Sequence, residues 1–134
     1  MTTAREIMQT QLITVTEQTP LSEVIALLMA HHISGLPVVD GDARIVGIIT
    51  EKDLLRVCHE ETSAFRVAGD LMSRELRVFQ ADTPLAELCD CLMTHHFRRV
   101  PILEGDKLVG LVSRADLLPT ILEIVNERVS EDPV

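Results

Sequence analysis

Residues 36–53 read Leu-Pro-Val-Val-Asp-Gly-Asp-Ala-Arg-Ile-Val-Gly-Ile-Ile-Thr-Glu-Lys-Asp, and residues 100–116 read Val-Pro-Ile-Leu-Glu-Gly-Asp-Lys-Leu-Val-Gly-Leu-Val-Ser-Arg-Ala-Asp. Both runs place a short apolar segment with Pro in second place, a Gly-Asp turn, a second apolar segment broken by Gly, and an acid three residues after Thr or Ser. The likeness extends outward. Residues 7–42 align with 71–106 at a shift of 64, and 45–55 with 108–118 at a shift of 63. Of the 47 aligned pairs 18 are identical, far above chance, so the chain is one unit written twice. Two copies are too few for a solenoid, which leaves a pseudo-twofold pair closing on itself.

Each copy reads β-α-β-β-α, and the fold class expected is α+β. Leu12-Ile13-Thr14-Val15 has the composition of a short strand. Thr19-Pro20 is expected to start a helix with Thr as N-cap and Pro in the first turn. Leu21, Val24, Ile25 and Leu28 then form one apolar stripe, repeated by Leu85, Leu88, Cys89 and Leu92. Leu36 to Val39 and Ile45 to Ile49 read as strands, with Pro37 at the start of the first, where a ladder donor is dispensable. The Asp40-Gly41-Asp42 turn makes them an antiparallel hairpin. The second strand is apolar on both faces and is expected to be buried on both. Thr50 and Ser113 open further helices, the latter carrying Leu118, Ile121, Leu122, Val125 and Val129. Residues 60–66 read as a connector, Val67 to Met72 as a short lead-in helix, and Ser130 to Val134 as a frayed tail.

Residues 1–62 and 63–134 are thus expected to be the two repeats. Neither buries enough surface to be comfortable alone, so they should pack sheet to sheet as one obligate unit whose seam is a natural cleft.

The 134 residues are 46% hydrophobic and 25% charged, which excludes a disordered chain. The net charge of −9 disfavours nonspecific binding to nucleic acid or anionic membrane. With three Phe and no Tyr or Trp, a base-stacking platform is excluded and the core must be aliphatic. Mean hydropathy is +0.22, yet the longest apolar stretch, Val24 to Ala30, is far too short to insert into a bilayer. The first residues lack the layout of a signal peptide, so a cytoplasmic protein is expected. Cys58, Cys89 and Cys91 are an odd count, a poor disulfide framework, and read as packing or bystander residues.

The segments Gly47-Ile48-Ile49-Thr50-Glu51-Lys52-Asp53 and Gly110-Leu111-Val112-Ser113-Arg114-Ala115-Asp116 carry the chemistry. An acid three residues after Thr or Ser is first of all a capping-box signature. Its duplication behind a buried strand also suits a nucleotide. Gly leaves room for close approach of a ligand or of backbone. A carboxylate in the first helical turn can accept both hydroxyls of a ribose. The hydroxyl and free N–H groups at the helix start favour phosphate.

The duplicated order of Thr-Pro-Leu, a Leu-Pro-Val or Val-Pro-Ile strand start, and Gly-x-x-(Thr/Ser)-x-x-Asp resembles a tandem CBS-domain pair, or Bateman module, over about residues 4–125. The resemblance implies a regulatory sensor of adenosine-containing ligands such as AMP, ADP, ATP or S-adenosylmethionine. It implies binding in the cleft between the halves and assembly of modules into a disc-shaped homodimer. By motif, Asp53 and Asp116 would hold ribose hydroxyls, and Thr50 and Ser113 would contact ribose or phosphate. Ile13, Thr14, Arg77 and Val78, with Leu36, Pro37, Val100 and Pro101, would line base pockets through backbone hydrogen bonds and aliphatic packing.

The copies differ where family members often place phosphate-facing cations. Copy two has Arg98-Arg99, copy one Ser34-Gly35, and Lys52 and Arg114 sit inside the helix starts. Each of these four is equally well a solvated surface charge, and which pocket receives Arg98 or Arg99 is open. Two unequal pockets are expected, with phosphate in the more basic one.

His31-His32 and His95-His96 are poor chelates, because adjacent helical side chains diverge. They read as cations favoured near a helix C-terminus, with ligand contact or a proton-linked effect as the alternative. No metal site is expected. No nucleophile–base–orienter set and no dinucleotide or Walker glycine loop occurs, so catalysis has little support. The expected function is a sensor that signals to a separate, unknown effector protein. The rival is a dimeric interaction scaffold with vestigial pockets, and a nucleotide enzyme comes third. The dimer interface is expected from the stripe of the last helix with residues around Leu27 and Leu28, though that stripe could equally be core.

Overall fold

The computed structural model describes residues 1–59, 65–95 and 97–131. In chain order the elements are α1 (Ala4–Ile7), α2 (Leu21–His31), β1 (Gly35–Val39), β2 (Ile45–Thr50), α3 (Glu51–Leu54), α4 (Arg56–His59), α5 (Ala68–Leu71), β3 (Phe79–Gln80), α6 (Leu85–Thr94), β4 (Arg99–Glu104), β5 (Lys107–Ser113) and α7 (Leu118–Glu131), with a 3-10 turn at Ala115–Leu117. The class is α+β, as expected. The chain divides into two compact units that interleave along the sequence. One comprises Leu12–Arg77 with the hairpin tip Gly105–Leu108. The other comprises Met1–Gln11, Val78–Glu104 and the chain from Val109 on.

In the first unit β1 and β2 form the expected antiparallel hairpin, with Leu36 opposite Ile49 and Val38 opposite Gly47. Asp40 closes the turn. Its Oδ1 accepts from the N–H groups of Asp42 and Arg44, which hold its carboxyl below the usual carboxylate range. The core gathers Val15, Leu21, Val24, Leu28, Leu36, Val38, Ile49, Ala68 and Leu71. Of β2 only Gly47 and Ile49 are buried, and Ile45, Val46 and Ile48 are half-buried, so the strand is less enclosed than its composition implied.

Three expectations change here. The strand at Leu12 to Val15 shrinks to a single parallel bridge between Val15 and Val38, in which Val15 N donates to Pro37 O and Val39 N to Val15 O. Thr19 does not cap α2. Its Oγ1 accepts from Thr16 N, Pro20 takes the N-cap position, and Leu21 N donates to Arg66 O. A tertiary carbonyl has replaced the side-chain cap. Ile25 leaves the stripe and is 39% exposed, whereas Leu28 is core and therefore not available to an interface.

In the second unit a three-stranded sheet runs β3-β4-β5, with β3 parallel to β4. Its core gathers Ala4, Ala81, Leu88, Cys91, Leu92, Val100, Ile102, Val112 and Leu117, with Leu85 and Cys89 partly buried against it. The last helix carries the expected apolar residues on its exposed side, Leu122 at 59% and Val125 at 47%. Residues 60–64 of the connector and 132–134 of the tail lie outside the described residues.

The interleaving has a repeated hydrogen-bond basis. In the second unit Ala4 N donates to Thr83 O, Arg5 N to Ala81 O, and Leu85 N to Thr2 O. In the first, Ala68 N donates to Thr19 O, Gly69 N to Glu17 O, and Leu21 N to Arg66 O. Each bond has its counterpart at the repeat shift of 64, so each repeat's lead-in segment completes the unit built on the other repeat's body. Asp70 secures the second lead-in. Its Oδ2 accepts from Val67 N and Arg66 N, and these bonds hold its carboxyl below the usual range.

The lead-ins end on the glycines. Gln9 and Leu111 exchange backbone hydrogen bonds, as do Ser73 and Ile48, which sets Met8 against Gly110 and Met72 against Gly47. The room that glycine provides is thus filled by protein rather than left for a ligand. A Cβ on Gly47 would lie 2.7 Å from Ser73 O and 2.9 Å from Met72 Sδ, and one on Gly110 2.7 Å from Met8 Cγ. Gly47→Ala and Gly110→Ala are each expected to cost about 1–3 kcal/mol in urea unfolding. Gly47→Ala should cost more, because the Ser73 carbonyl is fixed by its bridge. An unchanged midpoint would show that the methionine contacts are not made.

Candidate functional site

At the end of β2, Thr50 N donates to Asp53 Oδ2 at 2.8 Å and Thr50 Oγ1 to the same oxygen at 3.0 Å. Asp53 N returns to Thr50 Oγ1 at 3.3 Å, which completes a capping box. At the end of β5, Ser113 N donates to Asp116 Oδ2 at 2.7 Å and Ser113 Oγ at 3.0 Å. The two constellations match, and all four residues are half-buried. Each carboxylate therefore spends one oxygen on its own turn and presents the other. Asp53 Oδ1 has no partner among the described residues, whereas Asp116 Oδ1 accepts from Gln9 Nε2 at 2.8 Å.

The helix after Thr50 is shorter than expected, whereas the one expected after Ser113 is present and runs to Glu131. Thr50 leads into the single turn α3 and then α4, and Ser113 into the 3-10 turn before α7. Little helix dipole is aligned behind Thr50, so the case for phosphate there is weaker than the case for a sugar, whereas α7 continues directly from the 3-10 turn behind Ser113.

The other expected site residues are divided between the units. Ile13, Thr14, Leu36, Pro37, Lys52 and Arg77 fall in the first, and Val78, Arg98, Arg99, Val100, Pro101 and Arg114 in the second. Leu36, Pro37, Val100 and Pro101 are fully buried strand residues, and Leu36 and Val100 belong to the two cores. Thr14, Lys52, Arg77, Val78, Arg98 and Arg114 are exposed, and Ile13 and Arg99 half-buried. Arg114 is tied at one end, where its Nε donates to Leu92 O at 3.1 Å.

His31 ends α2, and His32 follows in the left-handed region at φ 52°. His95 Nδ1 lies 2.9 Å from Thr94 Oγ1. His96 lies outside the described residues. Among the described residues no cluster of His, Cys, Asp or Glu is arranged to hold a metal ion. Nor is any helix among them long and apolar enough to cross a membrane.

Sequence reasoning missed Gln9, because its partner is set by a strand bridge to the other repeat. The available signal was Met8 and Met72, which mark equivalent lead-in ends but say nothing of where they dock.

The sequence profile of the CBS domain matches residues 4–60 and 68–123. Hypoxic response protein 1 of Mycobacterium tuberculosis is 31% identical over 87% of this chain and 83% of its own length. The uncharacterized protein MJ1225 of Methanocaldococcus jannaschii is 26% identical over 85% of this chain, which spans only 41% of that protein. Among solved structures, CBSX2 in complex with AMP superimposes with a TM-score of 0.84 at 28% identity, covering 91% of this chain and 97% of that one.

Proposed function

The chain belongs to the CBS domain family, and on that premise we propose that it is a non-catalytic regulatory module that binds an adenosine-containing ligand. The ligand is AMP, ADP, ATP, S-adenosylmethionine or another adenosyl compound, and the binding state is passed to a separate effector protein. Residues 1–62 and 63–134 are taken as the two CBS repeats of one cytoplasmic Bateman module.

The observation that carries this reading is the duplicated carboxylate. Two half-buried aspartates, each anchored through one oxygen by its own Thr or Ser, recur at equivalent places. At Asp53 the second oxygen, without a partner among the described residues, can accept hydrogen bonds from hydroxyls. An anchored anion of this kind suits a sugar diol, because its geometry is set before the ligand arrives. The solved relative with AMP supports an adenosyl ligand. Ile13, Thr14, Arg77 and Val78 are proposed to contact the base, and Lys52, Arg98, Arg99 and Arg114 the phosphate, with Leu36, Pro37, Val100 and Pro101 backing them.

A homodimer is part of the proposal. Ile121, Leu122 and Val125 on α7, with Met29 on α2 and Met93 on α6, are exposed on the single chain. So much apolar side chain left in water favours burial against a second copy.

The test is thermal unfolding with AMP, ADP, ATP and S-adenosylmethionine. A ligand at 100 times its Kd should add about 2.7 kcal/mol. The chain has no Tyr or Trp, so a co-purified adenine would dominate its ultraviolet spectrum. No shift with any of the four, together with a dimer by sedimentation, would favour a scaffold with vestigial pockets.

A further inference from the structure

We propose that Gln9 sets the two acid-tipped turns apart: Asp53 is left able to grip both hydroxyls of a vicinal diol, and Asp116 only one. The inference rests on the adenosyl-binding reading above and deepens it by naming the residue that makes the sites unequal.

The backbone around the two turns is the same. Gln9 N donates to Leu111 O at 2.8 Å and Leu111 N to Gln9 O at 3.0 Å. Ser73 N donates to Ile48 O at 2.8 Å and Ile48 N to Ser73 O at 2.9 Å. Gln9 and Ser73 are equivalent at the repeat shift of 64, and Leu111 and Ile48 at the shift of 63. Only the side chain differs. The Gln9 amide is long enough to reach Asp116 Oδ1, at 2.8 Å. Ser73 carries its hydroxyl directly on Cβ and makes no such bond to Asp53.

Counting lone pairs gives the consequence. An ionised carboxylate only accepts, at about four sites, two on each oxygen. On both aspartates Oδ2 already takes an N–H and a hydroxyl from the turn. Asp53 Oδ1 keeps both its sites, enough for two neighbouring hydroxyls. Asp116 Oδ1 has given one to Gln9, and a diol can take the second hydroxyl's place there only by displacing the amide. The first turn therefore discriminates between ribose and deoxyribose more strongly than the second.

Calorimetry of the full chain with AMP and with 2′-deoxy-AMP tests this, in the wild type, in Gln9→Ser and in Gln9→Ala. A hydrogen bond to a charged group is worth roughly tenfold or more in affinity. In the wild type, removing the hydroxyl should weaken the tighter site by about that factor and leave the weaker site nearly unchanged. Gln9→Ser copies the other repeat and should tighten the weaker site for AMP and make it as sensitive to the missing hydroxyl. A wild type with one AMP equivalent that becomes two in Gln9→Ser supports the same conclusion. Gln9→Ala keeps the backbone bridge, and its circular dichroism separates loss of the contact from loss of fold. Equal hydroxyl sensitivity at both wild-type sites, or no change in site number or sensitivity in either variant, overturns the role of Gln9 while the adenosyl reading stands. Absence of AMP binding in wild type and variants alike overturns that reading and this inference together.

Discussion

Asp53→Ala is expected to weaken AMP at the tighter site by at least about 100-fold, because two hydrogen bonds to a charged acceptor are lost together. The same substitution removes the acceptor for Thr50 N and Thr50 Oγ1, so the capping box collapses. Loss of a cap costs about 1 kcal/mol of stability, which a urea titration would register beside the calorimetric loss. Asp53→Asn divides the two effects. Its amide oxygen can still accept from Thr50 N, so most of the cap survives, whereas the negative charge that makes the diol contact strong does not. Stability near that of the wild type with AMP binding weakened about tenfold or more is the expected signature. Adding Asp116→Ala to Asp53→Ala should remove ligand-induced thermal stabilisation altogether. If Asp53→Ala loses stability but binds AMP as before, the carboxylate is a cap and nothing more, and its role in holding the ribose is refuted.

The repeat made the hairpins and the acid-tipped turns legible, because each of their determinants is local. Strand, turn, Gly, hydroxyl and acid all lie within the runs 36–53 and 100–116. What failed was whatever depends on a partner far along the chain. Thr19-Pro20 has the composition of a capped helix start, but Leu21 N is satisfied by Arg66 O, and the Thr19 hydroxyl is left to close its own turn on Thr16. Leu12 to Val15 has strand composition, but only Val15 meets a neighbour in register. Gly47 and Gly110 are places of close approach, and what approaches is the Ser73 carbonyl with Met72 at the first and Met8 at the second. The two turn-anchored carboxylates were legible, and the Gln9 contact that distinguishes them was not.

Ala4 and Ala68 provide the strongest test of the exchanged lead-ins. They are equivalent at the repeat shift of 64, both are 0% exposed, and each opens a short helix with its N–H on a threonine carbonyl of the other repeat, Thr83 or Thr19. Both sit in apolar cores with no surface exposed to water. Ala4→Asp buries a carboxylate among Ala81, Leu88 and Val112, and Ala68→Asp buries one among Val24, Leu36 and Leu71. Each is expected to cost about 4 kcal/mol or more, a large share of the 5–15 kcal/mol that holds a domain of ordinary stability. Gln18→Asp, at an exposed turn where the other repeat carries Asp82, should change the same measurement by less than about 0.5 kcal/mol. Hydrogen exchange supplies the spatial readout. Ala4→Asp should first unprotect Leu85 and Leu111, whose amides donate to Thr2 and Gln9, and Ala68→Asp should first unprotect Leu21 and Ile48, which donate to Arg66 and Ser73. If Ala4→Asp instead loosens the amides of its own repeat's hairpin, β1 and β2, each lead-in belongs to the repeat it precedes. The interleaving would then be refuted, and with it the Gln9 contact that depends on it.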